Sequence, residues 1–453
     1  MSSLDLQLAE HAASVRFEDL SETAIDRAKI FTLDTIGVGL AGGSTPEITP
    51  LLRAVQGWGD GQQVGLWGTR RKLSSGQAIL LNAYQIHCQE FDCLHEGAVL
   101  HAMATLLPVL LAEAECRGGI SGKALLAAIA AGVDVACTIG MASKQGLRFF
   151  RPATSGGFGA VAGLANLRGF DARHTLAAFG HQLAQVSGTM QAHTEGSVVL
   201  PLQVGLNARA AMQSCDLAQS GFPSLALPLT GRFGYLPMYE TEWDLETAMK
   251  PLRRDWRVAE LSHKPYPSGR ATHGGIEGLM ALRDQHGFSP DDIEQILVRG
   301  PSLINHLVNR PPMQSPTPNY ARLCMPFVLA KVLQHGALDP MHFRGEALED
   351  PRTFALSQRV AMQIDDNPNP NALAPQAVSV RLKDGRVIEH AIDSMLASPS
   401  RPLSGDARTK KFLRCWSLAA QPMGDSAGLV ALIDRLDQCV DVRELTNQLA
   451  AHA

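Results

Sequence analysis

The chain has 453 residues, of which 45% are hydrophobic and 19% are charged, with a formal net charge of −4. A single hydrophobic core stops growing near about 250 to 300 residues, so this length predicts two or three domains. The mildly acidic balance argues against nucleic acid as a partner, since such proteins present a basic surface. A small anionic ligand is compatible with it, because a few converging arginines and lysines are enough to bind one.

The N-terminus and the cysteines indicate the compartment. The first 22 residues alternate acidic and apolar side chains and lack the basic start and apolar core of a signal peptide, so we expect a cytoplasmic protein. The eight cysteines form no Cys-x-x-Cys pair and no Cys/His cluster at zinc-finger spacing. This pattern predicts reduced, buried thiols and argues against a structural zinc or an iron–sulfur cluster.

Residues 20–220 predict a series of helices with little strand signal. The first helix lies between Ser21-Glu22 and Gly42-Gly43, which are start and stop signals. The most apolar stretch, 124–142, approaches the length of a membrane span, but its alanines, its glycines and Asp134 favour a helix buried among other helices, and we expect no membrane partner. Further helices are predicted at 75–87, 101–116, 121–142, 157–168, 173–190 and 203–219.

The pattern changes after about residue 260. Segments 291–301 and 376–392 alternate β-branched residues, and Asp384-Gly385 at the centre of the second predicts a hairpin. Residues 405–449 return to helical periodicity, and we expect them to pack on the first domain. The glycine-rich stretch 156–171 is predicted to pack helices rather than to bind phosphate, because no strand precedes it.

The segment 87–112 gathers titratable side chains just before an apolar helix. Asp92, His95 and His101 lie within ten residues there. A carboxylate beside an imidazole in a partly buried pocket supplies a base for removing a proton next to a carboxylate. The alternative is that these side chains satisfy backbone groups or cap the helix that begins near His101.

Two other segments carry candidate anion-binding groups. Lys264, Arg270 and His273 surround two prolines ahead of an apolar helix, where the helix dipole adds to the side-chain charge. The alternative for that segment is a domain linker with solvated charges. In the segment 144–159, Arg151 precedes a glycine-rich helix and can hold a carboxylate through two hydrogen bonds, unless it is a surface arginine in a helix–helix loop.

Taken together, these segments resemble the MmgE/PrpD family, which includes 2-methylcitrate dehydratase, cis-aconitate decarboxylase and iminodisuccinate epimerase. The resemblance spans almost the whole chain, and the ordered set of motifs carries it rather than any one of them. The matching positions, in chain order, are Asn82, His87, "EFDC" (90–93), His95, His101, the Gly-x-x-Gly-Ala helix, Glu195-Gly196, "GRFGY" (231–235), Lys264–Pro267 with Thr272 and His273, and "ARLC" (321–324).

The resemblance implies a mainly α fold in which a large helical domain is built from both chain ends. We predict that residues 1–262, completed by 405–453, form this domain, and that 263–404 form a smaller inserted α+β domain. It also implies a homodimer, a site in the cleft between the domains, and a small di- or tricarboxylate substrate handled without a metal or an organic cofactor.

The resemblance further suggests a reaction and residue roles. We expect a cofactor-independent lyase of the dehydratase type, like 2-methylcitrate dehydratase, that abstracts the proton α to a carboxylate. The base is predicted to be His101 or Asp92, and the acid His273 or His95. Three cations are predicted to stabilise the negative charge that develops on the substrate, namely Arg151, Lys264 and Arg270.

Departures from the family pattern put citrate-like and aconitate-like substrates in doubt. Arg151 stands where a histidine is common, and Leu200 and Gln203 replace the lysine and histidine of a Lys-x-Leu-His-x-Gly motif. Cys93 replaces the second aspartate of the acidic block, and Phe327 replaces a frequent tyrosine. We predict that Gln203 and Phe327 contact substrate at these positions. An epimerase, a decarboxylase, and a non-catalytic protein that only binds a carboxylate remain alternatives.

Overall fold

The computed structural model describes residues 2–451 and is 56% helical, which confirms the predicted mainly α class. The α-helices are α1 (Leu4–Ser14), α2 (Glu22–Gly42), α3 (Ile48–Gln56), α4 (Ser75–His87), α5 (Ala102–Arg117), α6 (Gly122–Ala142), α7 (Arg151–Arg168), α8 (Ala172–Leu183), α9 (Gln191–Glu195), α10 (Val199–Gln219), α11 (Tyr235–Tyr239), α12 (Leu245–Met249), α13 (His273–His286), α14 (Ser302–Val308), α15 (Pro318–Arg322), α16 (Met325–His335), α17 (Pro351–Ser357), α18 (Gly405–Ser417), α19 (Ser426–Asp434) and α20 (Arg443–Asn447). The strands are β1 (Val64–Gly65), β2 (Lys72–Leu73), β3 (Leu94–His95), β4 (Leu261–Ser262), β5 (Ile293–Gly300), β6 (Val360–Ile364), β7 (Gln376–Leu382) and β8 (Val387–Ile392).

The larger hydrophobic core belongs to the helices. It draws almost all of its residues from 8–261 and 412–449, so the C-terminal helices complete the core of the N-terminal ones. The α18 residue Lys411 shows the connection, because its ammonium lies 2.7 Å from a carboxylate oxygen of Asp34 in α2 and donates to the carbonyl of Phe91.

Helices α6 and α7 approach each other closely through glycines. A Cβ placed on Gly159 would lie 2.6 Å from the carbonyl oxygen of Gly132 and 2.5 Å from the Cβ of Ala136, closer than atoms can pack. The glycine-rich stretch therefore serves helix packing, as its sequence context predicted. Helix α6 is long and apolar enough to cross a membrane by length and composition, but 89% of its most apolar stretch is buried inside the protein.

The second core surrounds a four-stranded sheet of order β6-β5-β7-β8. Strands β5 and β6 are parallel, and the other two neighbouring pairs are antiparallel. The predicted hairpin is present, since β7 and β8 pair from Gln376↔Ile392 to Arg381↔Val387 across the Asp384-Gly385 turn. Alternate residues of β7 are buried, as expected for a strand with one face against helices.

Three helix boundaries differ from the sequence prediction by more than two residues, and one of them is the start of α10, which lies at Val199 rather than at 203. Helix α7 begins at Arg151 rather than at 157, because Pro152 at the first turn is compatible with a helix start and needs no backbone donor. Helix α8 ends at Leu183 rather than continuing to 190, and the chain then passes through Gly188 with a φ of 139°. That backbone conformation is open mainly to glycine.

Strands β3 and β4 connect the two chemically important segments. Leu94 pairs with Ser262 and His95 with Leu261, so the 87–101 segment lies against the 262–273 segment. A tight turn then closes between His95 and Leu100, whose backbone groups bond to each other in both directions. His101 follows directly and precedes α5, so its position is set from both sides.

Candidate active site

A cavity lies where the two cores meet, with a volume of about 60 Å³ counted as space open to the centre of a water molecule. The helical part contributes the end of α4, the starts of α7 and α10, and α9, and the α+β part contributes residues 269–271 and the end of α14. Most of the lining is apolar. The polar side chains on its wall are His87, Glu90, His101, His193 and Arg270.

Asp92 joins two of these histidines from behind. One of its carboxylate oxygens forms a hydrogen bond of 2.9 Å with His87 Nδ1. The same oxygen lies 3.1 Å from His101 Nδ1 in an ion-pair contact that lacks the alignment of a hydrogen bond. The two rings meet edge to face with centroids 4.8 Å apart. Asp92 itself is fully buried and does not line the cavity. It therefore holds both imidazoles at the wall.

The two imidazoles differ in basicity. Burial favours neutral His87, but the charge and hydrogen bond of Asp92, with the charge of Glu90, outweigh it and raise the pKa of His87. Burial lowers the pKa of His101, the opposing charge of Asp92 offsets only part of that effect, and the charges of Lys264 and His87 add smaller amounts to it. Burial of Asp92 is outweighed by the two histidines, which hold the pKa of its carboxyl well below the usual range. The site therefore places two imidazoles around one carboxylate, with the protonated form favoured at His87 and the neutral form favoured at His101.

Glu90 forms the second anionic group of the site. Its carboxylate accepts a hydrogen bond of 2.7 Å from the ammonium of Lys264, which is completely buried, and lies 3.7 Å from His87 Nε2. The backbone of Glu90 has a φ of 51°, a left-handed conformation that non-glycine residues rarely adopt and that costs about 1 to 3 kcal/mol. Burial of this carboxyl is outweighed by Lys264, and its pKa is lowered to about 2.

Arg270 reaches the cavity wall with its donors already engaged. Its Nε and Nη2 donate to one oxygen of Glu96 at 3.0 and 2.7 Å, and Nη1 donates to backbone carbonyls. The same Nη1 lies 3.2 Å from His273 Nδ1. His273 is buried beside Arg270, and its Nε2 lies 3.3 Å from the carbonyl oxygen of Ser268. The segment is thus part of the site and not a solvated linker.

Comparison with known proteins identifies the relatives of this chain. The MmgE/PrpD N-terminal domain model matches residues 6–248, and the C-terminal domain model matches residues 266–425. The chain belongs to the MmgE/PrpD family. Among its relatives are a mouse cis-aconitate decarboxylase, 25% identical, with 96% of this chain and 91% of the relative covered, and a cis-aconitate decarboxylase-like protein of Aspergillus oryzae, 24% identical, with 97% and 95% covered. Human cis-aconitate decarboxylase is 23% identical, with 99% and 95% covered.

The MmgE/PrpD motif that contains His101 forms the centre of the site. His101 precedes α5 but makes no capping bond to the helix, and its ring is directed to Asp92 instead. The alternative of a helix cap is therefore wrong for His101. The structure brings Asp92, His101, Lys264, Arg270 and His273 into one neighbourhood, although only His101 and Arg270 among them line the cavity.

Two predicted residues bond away from the cavity. His95 accepts a hydrogen bond from the backbone of Ala98 at Nδ1, and its Nε2 lies 2.7 Å from Glu260. Arg151 is buried, not on the surface, and donates to Ser143, to Asn371 and to backbone carbonyls. Its Nε lies 3.6 Å from Glu240. Neither side chain lines the cavity.

Gln203 and Phe327 also have other surroundings in this MmgE/PrpD protein. The Gln203 amide bonds to both backbone groups of Thr189, which holds that loop against α10. Phe327 packs in the core of the α+β part, near Phe343 and under the ammonium of Lys331. Neither lines the cavity, whereas Leu200, predicted only as a replaced position, does.

Sequence reasoning assigned no role to four residues of the site. His87 and Glu90 lie in the titratable segment 87–112, and their spacing from Asp92 was the available signal. His193 and Arg310 are 117 positions apart, and no motif links them. Arg310 Nη2 lies 3.2 Å from His193 Nδ1, and burial together with Arg310 lowers the pKa of His193 to about 3.

One cluster at this site has the donors for a metal. The ligand atoms of His87, Asp92 and His101 all lie within 4.8 Å of one another, a donor set that suits zinc or a related cation. In the structure one Asp92 oxygen is hydrogen-bonded to His87 Nδ1 at 2.9 Å and lies 3.1 Å from His101 Nδ1 without an aligned hydrogen bond. A metal-independent site remains our prediction, and it is open to a chelation test.

Proposed function

We propose that this protein is a lyase of the dehydratase or decarboxylase type. It acts on a small carboxylate substrate and eliminates either water or carbon dioxide from it. The observation that carries the proposal is the pair of imidazoles, His87 and His101, that share Asp92 at the wall of a cavity between the two hydrophobic cores. Membership of the MmgE/PrpD family and the cis-aconitate decarboxylases among the relatives support a carboxylate as substrate.

His101 is the proposed base. Its lowered pKa keeps the ring neutral at pH 7, and a proton on Nδ1 directed at Asp92 leaves Nε2 with the lone pair. In a dehydration, Nε2 takes the proton from the carbon α to the carboxylate, the electron pair forms the double bond, and the β-hydroxyl departs. Asp92 stabilises the imidazolium that results, because its charge lies 3.1 Å away.

His87 is the proposed acid. Its raised pKa favours the protonated ring, Nδ1 donates to Asp92, and Nε2 has no hydrogen-bond partner among residues 2–451. It can give the Nε2 proton to the departing hydroxide, which leaves as water. In a decarboxylation, the same proton would go to the carbon that loses carbon dioxide. These roles differ from the sequence prediction, which assigned the acid to His273 or His95.

An epimerase remains a second candidate because two imidazoles reach one cavity. A proton taken from the carbon by one ring and returned to the opposite face by the other inverts that carbon centre with no group lost. The roles of acid and base are then exchanged between the two epimers. This reaction leaves a different trace from either lyase reaction.

The test is a panel of hydroxy-, amino- and unsaturated carboxylates incubated with enzyme in deuterium oxide and followed by proton NMR. Dehydration gives a new alkene signal, decarboxylation releases carbon dioxide, and epimerisation incorporates solvent deuterium at the inverted carbon and forms the epimer with no group lost. His101→Gln should abolish the reaction found. His174→Gln, at an exposed histidine paired with Asp171, is the matched control and should keep it. A folded His101→Gln protein with wild-type turnover would contradict the proposal.

A further inference from the structure

The cavity wall is more apolar than a polycarboxylate requires. Apolar side chains from both domains make up most of it, among them Val99, Phe150, Met190, Leu200, Leu307 and Leu323. Carboxylate groups leave water for such a surface only when a hydrogen-bond donor or a cation replaces the lost solvent. The number of available cations therefore limits how many carboxylates a ligand can bring.

The three cations predicted to hold carboxylates are each matched by a glutamate. Lys264 lies 2.7 Å from Glu90, and Arg270 lies 2.7 Å from Glu96. Arg151 lies 3.6 Å from Glu240. Each pair is close to neutral as a unit, so these cations add little net positive charge to the cavity.

Glu90 adds a negative charge to the wall itself. Its carboxylate lines the cavity and is held ionised by Lys264. A substrate carboxylate that approached this side would meet a like charge in a water-poor space, where repulsion is strong. This part of the cavity therefore favours an uncharged group.

One anion-binding position is left, at His193. This residue lines the cavity, and its Nδ1 faces the guanidinium of Arg310, so the ring proton sits on Nε2. Nε2 is buried and has no protein partner, and the same holds for Nη1 of Arg310. Among the described residues Arg310 forms no direct ion pair; its Nη2 also donates to the carbonyl of His193, its guanidinium lies over the ring of Tyr320, and the charge of Glu90 acts on it only from a greater distance. A donor backed by a cation that has no direct ion-pair partner suits one carboxylate.

We propose that the substrate carries a single carboxylate on an apolar carbon skeleton, with that carboxylate held at His193 and Arg310 and with Glu90 excluding a second one. This inference rests on the proposed function and narrows its substrate from the di- or tricarboxylate expected from the sequence. The apolar part of the substrate lies against the aliphatic and aromatic wall, near His87 and His101.

The test compares ligands of similar shape and different charge. The probes are 4-methylpentanoate, succinate and tricarballylate, because an isopropyl group and a carboxylate are nearly isosteric. Binding to the whole wild-type protein is measured by titration calorimetry. We expect 4-methylpentanoate to bind at least about tenfold more tightly than succinate, and tricarballylate to bind no better than succinate. Equal or tighter binding of either polyanion, or no binding of 4-methylpentanoate at millimolar concentration, would overturn the inference.

Variants identify the residues responsible. Arg310→Met should weaken 4-methylpentanoate at least about tenfold, whereas Arg254→Met, at an exposed arginine, should leave its affinity unchanged. Glu90→Gln removes the repelling charge and releases Lys264, so the preference for 4-methylpentanoate over succinate should fall at least about tenfold. Unchanged selectivity in folded Glu90→Gln would contradict the role of Glu90; if this variant does not fold, the ligand comparison and Arg310→Met decide.

The two proposals fail in different ways. If the lyase proposal is wrong, no compound is consumed or exchanged in deuterium oxide, while the binding preference persists. If the single-carboxylate inference is wrong, binding favours the polyanions, whether or not they react.

Discussion

Asp92→Asn tests the centre of the mechanism, because it removes one negative charge and keeps the shape of the side chain. One Asp92 oxygen lies 2.9 Å from His87 Nδ1 and 3.1 Å from His101 Nδ1. A pair of unit charges about 3 Å apart is worth about 5 kcal/mol at an effective dielectric constant of about 20, before the cost of burial is subtracted. Without this attraction, buried His87 loses the main interaction that raises its pKa, and we expect it to be neutral at pH 7.

A neutral His87 whose Nδ1 still donates to residue 92 has no proton to donate from Nε2. General acid–base catalysis contributes about 10²- to 10⁴-fold to a rate, so we expect kcat of Asp92→Asn to fall by about that factor. KM should change much less, because the proposed carboxylate anchor at His193 is untouched. The assay is initial-rate kinetics by proton NMR on the substrate that the panel identifies.

The matched control is Asp134→Asn. Asp134 is also fully buried and its carboxylate lies 2.9 Å from a histidine, His11, but neither residue lines the cavity. This variant should keep kcat. The reasoning is refuted if folded Asp92→Asn retains kcat within about twofold of wild type, or if Asp134→Asn loses as much activity as Asp92→Asn.

Four further outcomes are expected. The pKa of Glu90 is lowered from 4.5 to about 2, so its ionisation stabilises the fold by about 3 kcal/mol above pH 4.5. The free energy of unfolding in urea should therefore differ most between wild type and Glu90→Gln at pH 7, and the difference should shrink as the pH falls towards 2. Because His95 bonds to Glu260 outside the cavity, kcat of His95→Gln should stay within about tenfold of wild type. A loss as large as that of Asp92→Asn would instead support His95 as the general acid. Dialysis against a chelator should leave kcat unchanged. A loss of kcat on dialysis that added zinc reverses would contradict a metal-independent site. Phe233 is 70% exposed, and light scattering should show a dimer that Phe233→Glu weakens; a monomeric wild type would contradict the homodimer.

Local features of the sequence predicted the secondary structure well. The hairpin at Asp384-Gly385 and the helix from Ser75 to His87 depend on turn chemistry and on periodicity within a few residues. Boundaries were wrong where a neighbour in space or a single backbone angle decided them, as at Gly188 after α8. The ordered motifs were enough to identify the family, which the domain matches confirmed.

The site was predictable only in part. Asp92 and His101 are nine positions apart on one segment, so their proximity could be read from the chain. The ion pair of Lys264 with Glu90 could not be read from the sequence, because the two residues are 174 positions apart and meet only in the folded chain. His193 and Arg310 were missed for the same reason, since no local pattern marks a contact across 117 positions.

The sequence by itself determined the helices, the hairpin, the family and the segment that supplies the imidazoles, because these depend on local periodicity, turn residues and the order of motifs. Only the tertiary structure decided which charges cancel and which stay available. Charge–charge energy depends on distance and burial, and both are properties of the folded chain. The same arginines and lysines that suggested several carboxylates in the sequence are largely neutralised once their glutamate partners are in place.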